Sequence, residues 1–108
     1  MAITDISNLS QYKELVEPNH IVIINACATW GGPCRIINPD FNKLSENEEY
    51  NKPGVAFTKV NIDGLHKVAK ELGVRPLPTF YAFNNGSLEN EFTEADPDGL
   101  EQLVEGSY

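Results

Sequence analysis

The sequence predicts an α/β fold, a mixed β-sheet with helices on both faces. Three observations carry this. Short β-branched apolar segments alternate with segments whose apolar residues fall at helical spacing. The segment His20–Ala26 is apolar on both faces, as a central buried strand must be. The chain then closes with the hairpin turn Asn84-Asn85-Gly86 and a helix opened by Asp96-Pro97.

Taken in order, Leu9, Tyr12, Leu15 and Val16 recur at helical spacing and predict a short first helix. Glu17-Pro18-Asn19 ends it, because proline cannot continue a helix. The strand His20–Ala26 follows and is broken by Gly31-Gly32-Pro33. Proline is tolerated in a first helical turn, so a second helix starts near Pro33. Ile36, Ile37, Phe41 and Leu44 are its expected apolar stripe, and Pro39 should kink it. The run Glu46-Asn47-Glu48-Glu49 reads as its solvated end.

Val55–Asn61 reads as a strand after Lys52-Pro53-Gly54. Asp63-Gly64 turns the chain, and His66–Leu72 reads as a helix ended by Gly73 in the left-handed C-terminal position. Thr79–Phe83 and Ser87–Phe92 are the strands on either side of Asn84-Asn85-Gly86. The last helix carries Leu100, Leu103 and Val104.

The 108 residues are expected to form a single domain, 1–108, since two units of half that length could not bury enough surface. A hydrophobic content of 41% is enough for a core. The net charge is −8, which repels phosphate backbones and anionic lipids. Nucleic-acid and membrane binding are therefore not expected. The longest strongly apolar run, Ile21–Ile24, is far short of a membrane span. Met1–Ser10 lacks the basic start and apolar stretch of a signal peptide. Two cysteines are too few for a disulfide-stapled scaffold. The expected setting is a reducing, cytoplasmic one.

Five segments in order carry a family resemblance. They are Ile21–Trp30 followed by Gly32-Pro33-Cys34-Arg35; Pro39; Val60-Asn61-Ile62-Asp63; Gly73–Phe80, containing Pro76-Leu77-Pro78-Thr79; and Phe83-Asn84-Asn85-Gly86. Together they resemble the thioredoxin family over nearly the whole chain. The resemblance implies a thioredoxin fold with a mixed four- to five-stranded sheet flanked by helices. It also implies thiol–disulfide exchange by an exposed thiolate at a helix N-terminus, resolved by a second cysteine one turn later. Pro78 would be the family's cis-proline, and its loop would pair with an extended substrate strand.

The chain departs from that pattern at three positions. Where the family reads Trp-Cys-Gly-Pro-Cys, this sequence reads Trp30-Gly31-Gly32-Pro33-Cys34. Glycine carries no nucleophile, so two-cysteine catalysis at the motif is expected to be lost. Cys34 holds the resolving position, which in the family is buried and a poor attacker of external disulfides. The missing side chain at Gly31 leaves space that could uncover it. Asn25 stands where the family has a buried proton-accepting aspartate, and an amide takes no proton at neutral pH. Lys59 matches the lysine beside that aspartate. It is expected to face no anion here and to reach toward solvent. Thr93 stands where the family commonly has a glycine that flattens the substrate groove.

Cys27 has two readings. The favoured one is a buried core thiol. The other is a redox pair or disulfide with Cys34, since strand alternation places Asn25 and Cys27 on one face, toward the helix that carries Cys34. A peptide groove would comprise Trp30, Gly32, Pro33, Leu77, Pro78 and Thr93. No cofactor is expected. His20 and His66 have no metal-ligand cluster around them, so no metal site is expected either.

Two functions follow. One is a monothiol redox protein exchanging through Cys34 with protein disulfides or glutathione. The other is a redox-inactive module that holds extended peptides in the groove by backbone pairing. A homodimer through the active-site face is a further possible assembly.

Overall fold

A computed structural model describes residues 3–16, 21–27, 32–62, 70–71 and 78–107. Five strands are present: β1 (Ile3–Ile6), β2 (Ile21–Cys27), β3 (Val55–Asn61), β4 (Thr79–Asn84) and β5 (Ser87–Thr93). The helices are α1 (Leu9–Val16), α2 (Gly32–Glu46) and α3 (Pro97–Gly106). The expected helix His66–Leu72 falls mostly outside the described residues, as do Pro18, His20, Asp63 and Gly73.

The strands run in the order β1-β3-β2-β4-β5. β1, β3 and β2 are mutually parallel, while β4 is antiparallel to both β2 and β5. The central strand β2 is buried at all seven positions. This is why its sequence is a continuous apolar run rather than an alternation.

Two apolar layers cover the sheet. Ile23, Phe57 and Phe80 face Ile37 and Phe41 of α2 and Leu100 and Val104 of α3. The Phe41 ring lies 5.8 Å from that of Phe57 and 5.9 Å from that of Phe80. On the opposite face Val22, Ile24, Val60 and Tyr81 pack with Tyr12 and Val16 of α1. Odd-numbered residues of β2 therefore look toward α2, and that parity decides the site below.

Strand β1 was not foreseen. It has four residues with only Ile6 buried, so Ile3-Thr4-Asp5-Ile6 shows no period. Pairing with β3 makes it a strand. The expected apolar stripe of α2 also needs correcting. Cys34, Ile37, Phe41, Leu44 and Ser45 are buried, whereas Ile36 is 68% exposed. At 100° per residue Ile36 points away from that face.

α2 continues through Pro39. The expected turn and helix start hold. Asn85 and Gly86 take φ of 52° and 86°, the positive values that a tight two-residue hairpin requires. The Asp96 side chain accepts from the Asp98 N–H at 3.2 Å, and Pro97 occupies the first turn of α3.

Candidate thiol site between β2 and α2

The site lies where the C-terminal end of β2 meets the first turns of α2. Asn25 and Cys27 share the α2 face of β2 by alternation, as expected. Cys34 is the third residue of α2 and Asn38 lies one turn further on the same helix. These four side chains converge.

Asn25 is fully buried and links the others. Its Nδ2 donates to Asn38 Oδ1 at 3.1 Å. Its Oδ1 accepts from the Cys27 Sγ–H at 3.0 Å. An amide can do both, whereas an ionised carboxylate could only accept. Asn25 thereby ties β2 to α2 and holds the proton of Cys27 in place.

Cys27 and Cys34 are both buried free thiols, 4% and 1% exposed. They are near neighbours that act on each other. Burial pushes the Cys27 thiol far above its ordinary value, the hydrogen bond and charge of Cys34 push it further, and the Lys59 ammonium offsets part of this. The expectation that Cys34 is uncovered is corrected: it is buried on the face of α2 that also carries Ile37 and Phe41.

A cavity of about 410 Å³, partly open to solvent, is lined by both cysteines. Asp5, Arg35, Asn38 and Lys59 share its wall with them. The expectation that Lys59 faces no anion is corrected here. In sheet register Lys59 sits between Asn25 of β2 and Asp5 of β1. Asp5 escaped notice because β1 has no sequence signal. Asn38 had one: it lies four residues after Cys34, one helical turn away.

Of the expected groove, Gly32 and Pro33 are exposed at the start of α2, and Pro78 is buried just before β4. A side chain at Gly32 would meet open space. Thr93 pairs with Thr79 across β4 and β5, and their hydroxyl oxygens are 3.3 Å apart. Trp30, Gly31 and Leu77 lie outside the described residues. Among the described residues, no three His, Cys, Asp or Glu side chains gather in a way that could hold a metal ion, and no helix is long and apolar enough to cross a membrane.

A mixed five-stranded sheet in this order, with helices on both faces and a thiol in the first turn of the helix after β2, defines a thiol-bearing redox domain of the thioredoxin fold. The thioredoxin family model matches residues 4–106, and the chain belongs to the thioredoxin family. It is similar to the thioredoxin of Coprinus comatus, 39% identical over 102 residues and covering 94% of each chain. It is likewise similar to thioredoxin Asp f 29 of Aspergillus fumigatus, 41% identical over 100 residues, 92% of this chain and 89% of that one. Among solved structures, Malassezia sympodialis thioredoxin superposes with a TM-score of 0.90 at 34% identity, covering 97% of this chain and 90% of the other.

Proposed function

We propose that this domain is a thioredoxin-like redox protein whose exchange at the motif is restricted to a monothiol route through Cys34. The observation that carries this is the placement of Cys34. It occupies the first turn of α2 and lines the cavity between that helix and β2. Gly31 occupies the place of the attacking cysteine and supplies no nucleophile. Asn25 supplies no proton acceptor, so deprotonation of Cys34 falls to solvent. Turnover on this route requires an external thiol such as glutathione to release the mixed disulfide.

The test is the rate of deglutathionylation of a small glutathionyl substrate with excess glutathione, compared between the chain and Cys34→Ser. A Cys34-dependent rate is expected. Equal rates would remove the proposal.

A second reading draws on the 1% exposure of Cys34. A sulfur so covered suits a module that binds without covalent chemistry. Pro78, buried at the head of β4, and the exposed Gly32-Pro33 would then offer backbone to an extended peptide. Partner capture that survives Cys34→Ser is the outcome expected of this reading. Capture lost on that substitution would reject it.

A further inference from the structure

Cys27 lies outside the motif, and the monothiol route does not use it. Cys27 is buried with the core of the sheet, but its surroundings are not all apolar: its Sγ–H donates to Asn25, and both cysteines line the cavity. Cys34 acts directly on the Cys27 thiol, so the two thiols are neighbours. The two cysteines are separated by six residues, so a bond between them closes only a short loop.

Resting on the monothiol reading of Cys34, we infer that Cys27 resolves mixed disulfides formed on Cys34, so that the two cysteines form an intramolecular redox pair in place of the usual motif pair. The oxidant it suits is a small, carboxylate-bearing disulfide of the glutathione disulfide type. Both thiols are covered, so the flat face of a large protein disulfide cannot reach them, but the 410 Å³ cavity can admit a peptide-sized arm. Among the described residues, Lys59 and Arg35 bring positive charge and Asp5 brings one carboxylate to the wall of that cavity, in a chain whose net charge is −8. A carboxylate-bearing ligand is favoured there and disfavoured over the rest of the surface.

The exchange proceeds in two balanced steps. The Cys34 thiolate attacks one sulfur of glutathione disulfide. That S–S bond breaks, a Cys34–glutathione bond forms, and one glutathione leaves as a thiolate that takes a proton from water. Cys27 then yields its proton to solvent, because Asn25 cannot accept it. Its thiolate attacks the Cys34 sulfur, forms the Cys27–Cys34 bond and expels the second glutathione. Two protein thiols are oxidised, and one glutathione disulfide is reduced to two glutathiones.

The test incubates the reduced full chain with glutathione disulfide, quenches with acid, alkylates the remaining thiols and reads intact and peptide masses. The chain is expected to lose two hydrogens, to link Cys27 to Cys34 and to retain no glutathionyl group. Cys27→Ser keeps a hydroxyl donor for Asn25 and should accumulate a stable glutathionyl adduct on Cys34. Cys27→Ala, with its fold checked by thermal melting, should do the same. Cys34→Ser should leave Cys27 unmodified. A stable Cys34 adduct on the unsubstituted chain, or a disulfide between two chains, would overturn the pairing and leave the monothiol route standing. Two thiols that stay reduced would overturn both.

Discussion

The Asn25 amide nitrogen donates to the Asn38 side-chain oxygen at 3.1 Å, and this bond fastens the central strand to the helix that bears Cys34. Because Asn25 is fully buried, its amide nitrogen would lose its partner without water to replace it. Substituting Asn38→Ala is therefore expected to destabilise the fold by about 1–3 kcal/mol. Urea unfolding of the reduced protein measures it, and an unchanged midpoint would show that the bond contributes nothing.

The same amide offers the site no proton acceptor at neutral pH. Asn25→Asp would place a titratable oxygen beside Cys27, with its own proton affinity raised by burial. The expected result is faster Cys34-dependent exchange at neutral pH, by about tenfold and short of the roughly 100-fold of a fully positioned base. Stability should fall at the same time, since a charged carboxylate cannot donate to Asn38. Stopped-flow exchange with a chromogenic disulfide reads the rate.

Restoring the missing nucleophile is the direct test of the motif. Gly31→Cys recreates a Cys-x-x-Cys pair with Cys34. Insulin reduction in the presence of dithiothreitol should rise clearly above that of the unsubstituted chain. If it does not, Gly31 is not what limits insulin reduction by this chain.

Alkaline stability isolates Cys27. In the unfolded chain its thiol ionises near pH 8.5. In the folded chain burial, then the Cys34 contact, hold it protonated to far higher pH. Above about pH 8.5 the unfolded state therefore binds fewer protons, and stability falls by about 1.4 kcal/mol per pH unit on this account. The buried Tyr12 is raised by desolvation and then by the charge of Glu71, and Tyr50 is pushed up to about 12 by burial and then by Glu105. Those phenols add to the loss only above their ordinary value of about 10. Between pH 8.5 and about 10, Cys27→Ser should flatten the slope of stability against pH. Unfolding curves across that window check it.

Gly99 makes a packing prediction. A Cβ there would collide with the Phe92 ring. Overpacking of this sort costs roughly 1–3 kcal/mol, while alanine regains about 1 kcal/mol of helix propensity. Gly99→Ala should therefore lower stability by about 1 kcal/mol net, despite lying in a helix. Pairing it with Phe92→Leu should recover the loss, and thermal melts of the single and double variants decide it.

Much of the architecture was legible in order. Val55–Asn61 is a strand at its expected bounds, and β2 reaches Cys27, one residue beyond its expected end. The Asn85-Gly86 turn and the Asp96-Pro97 helix start rest on local chemistry, positive φ and side-chain capping, which short sequence windows report. β1 was not legible, because an edge strand of four residues with a single buried side chain has no period to read. Ile36 misled because adjacent isoleucines cannot both face inward on a helix, and composition does not say which one does.

The site divides along the same line. The sequence by itself determined which groups exist: a glycine at 31, an amide at 25, and thiols at 27 and 34 on elements that alternation and helical period aim at one another. Only the tertiary structure decided what they touch. Sheet register set Asp5 beside Lys59, helix docking set Asn38 against Asn25, and the two together left a cavity lined by both cysteines. Such neighbours are chosen by long-range packing of β1, β2, β3 and α2. Residues 5, 25, 38 and 59 are too far apart in the chain for local sequence periodicity to relate them.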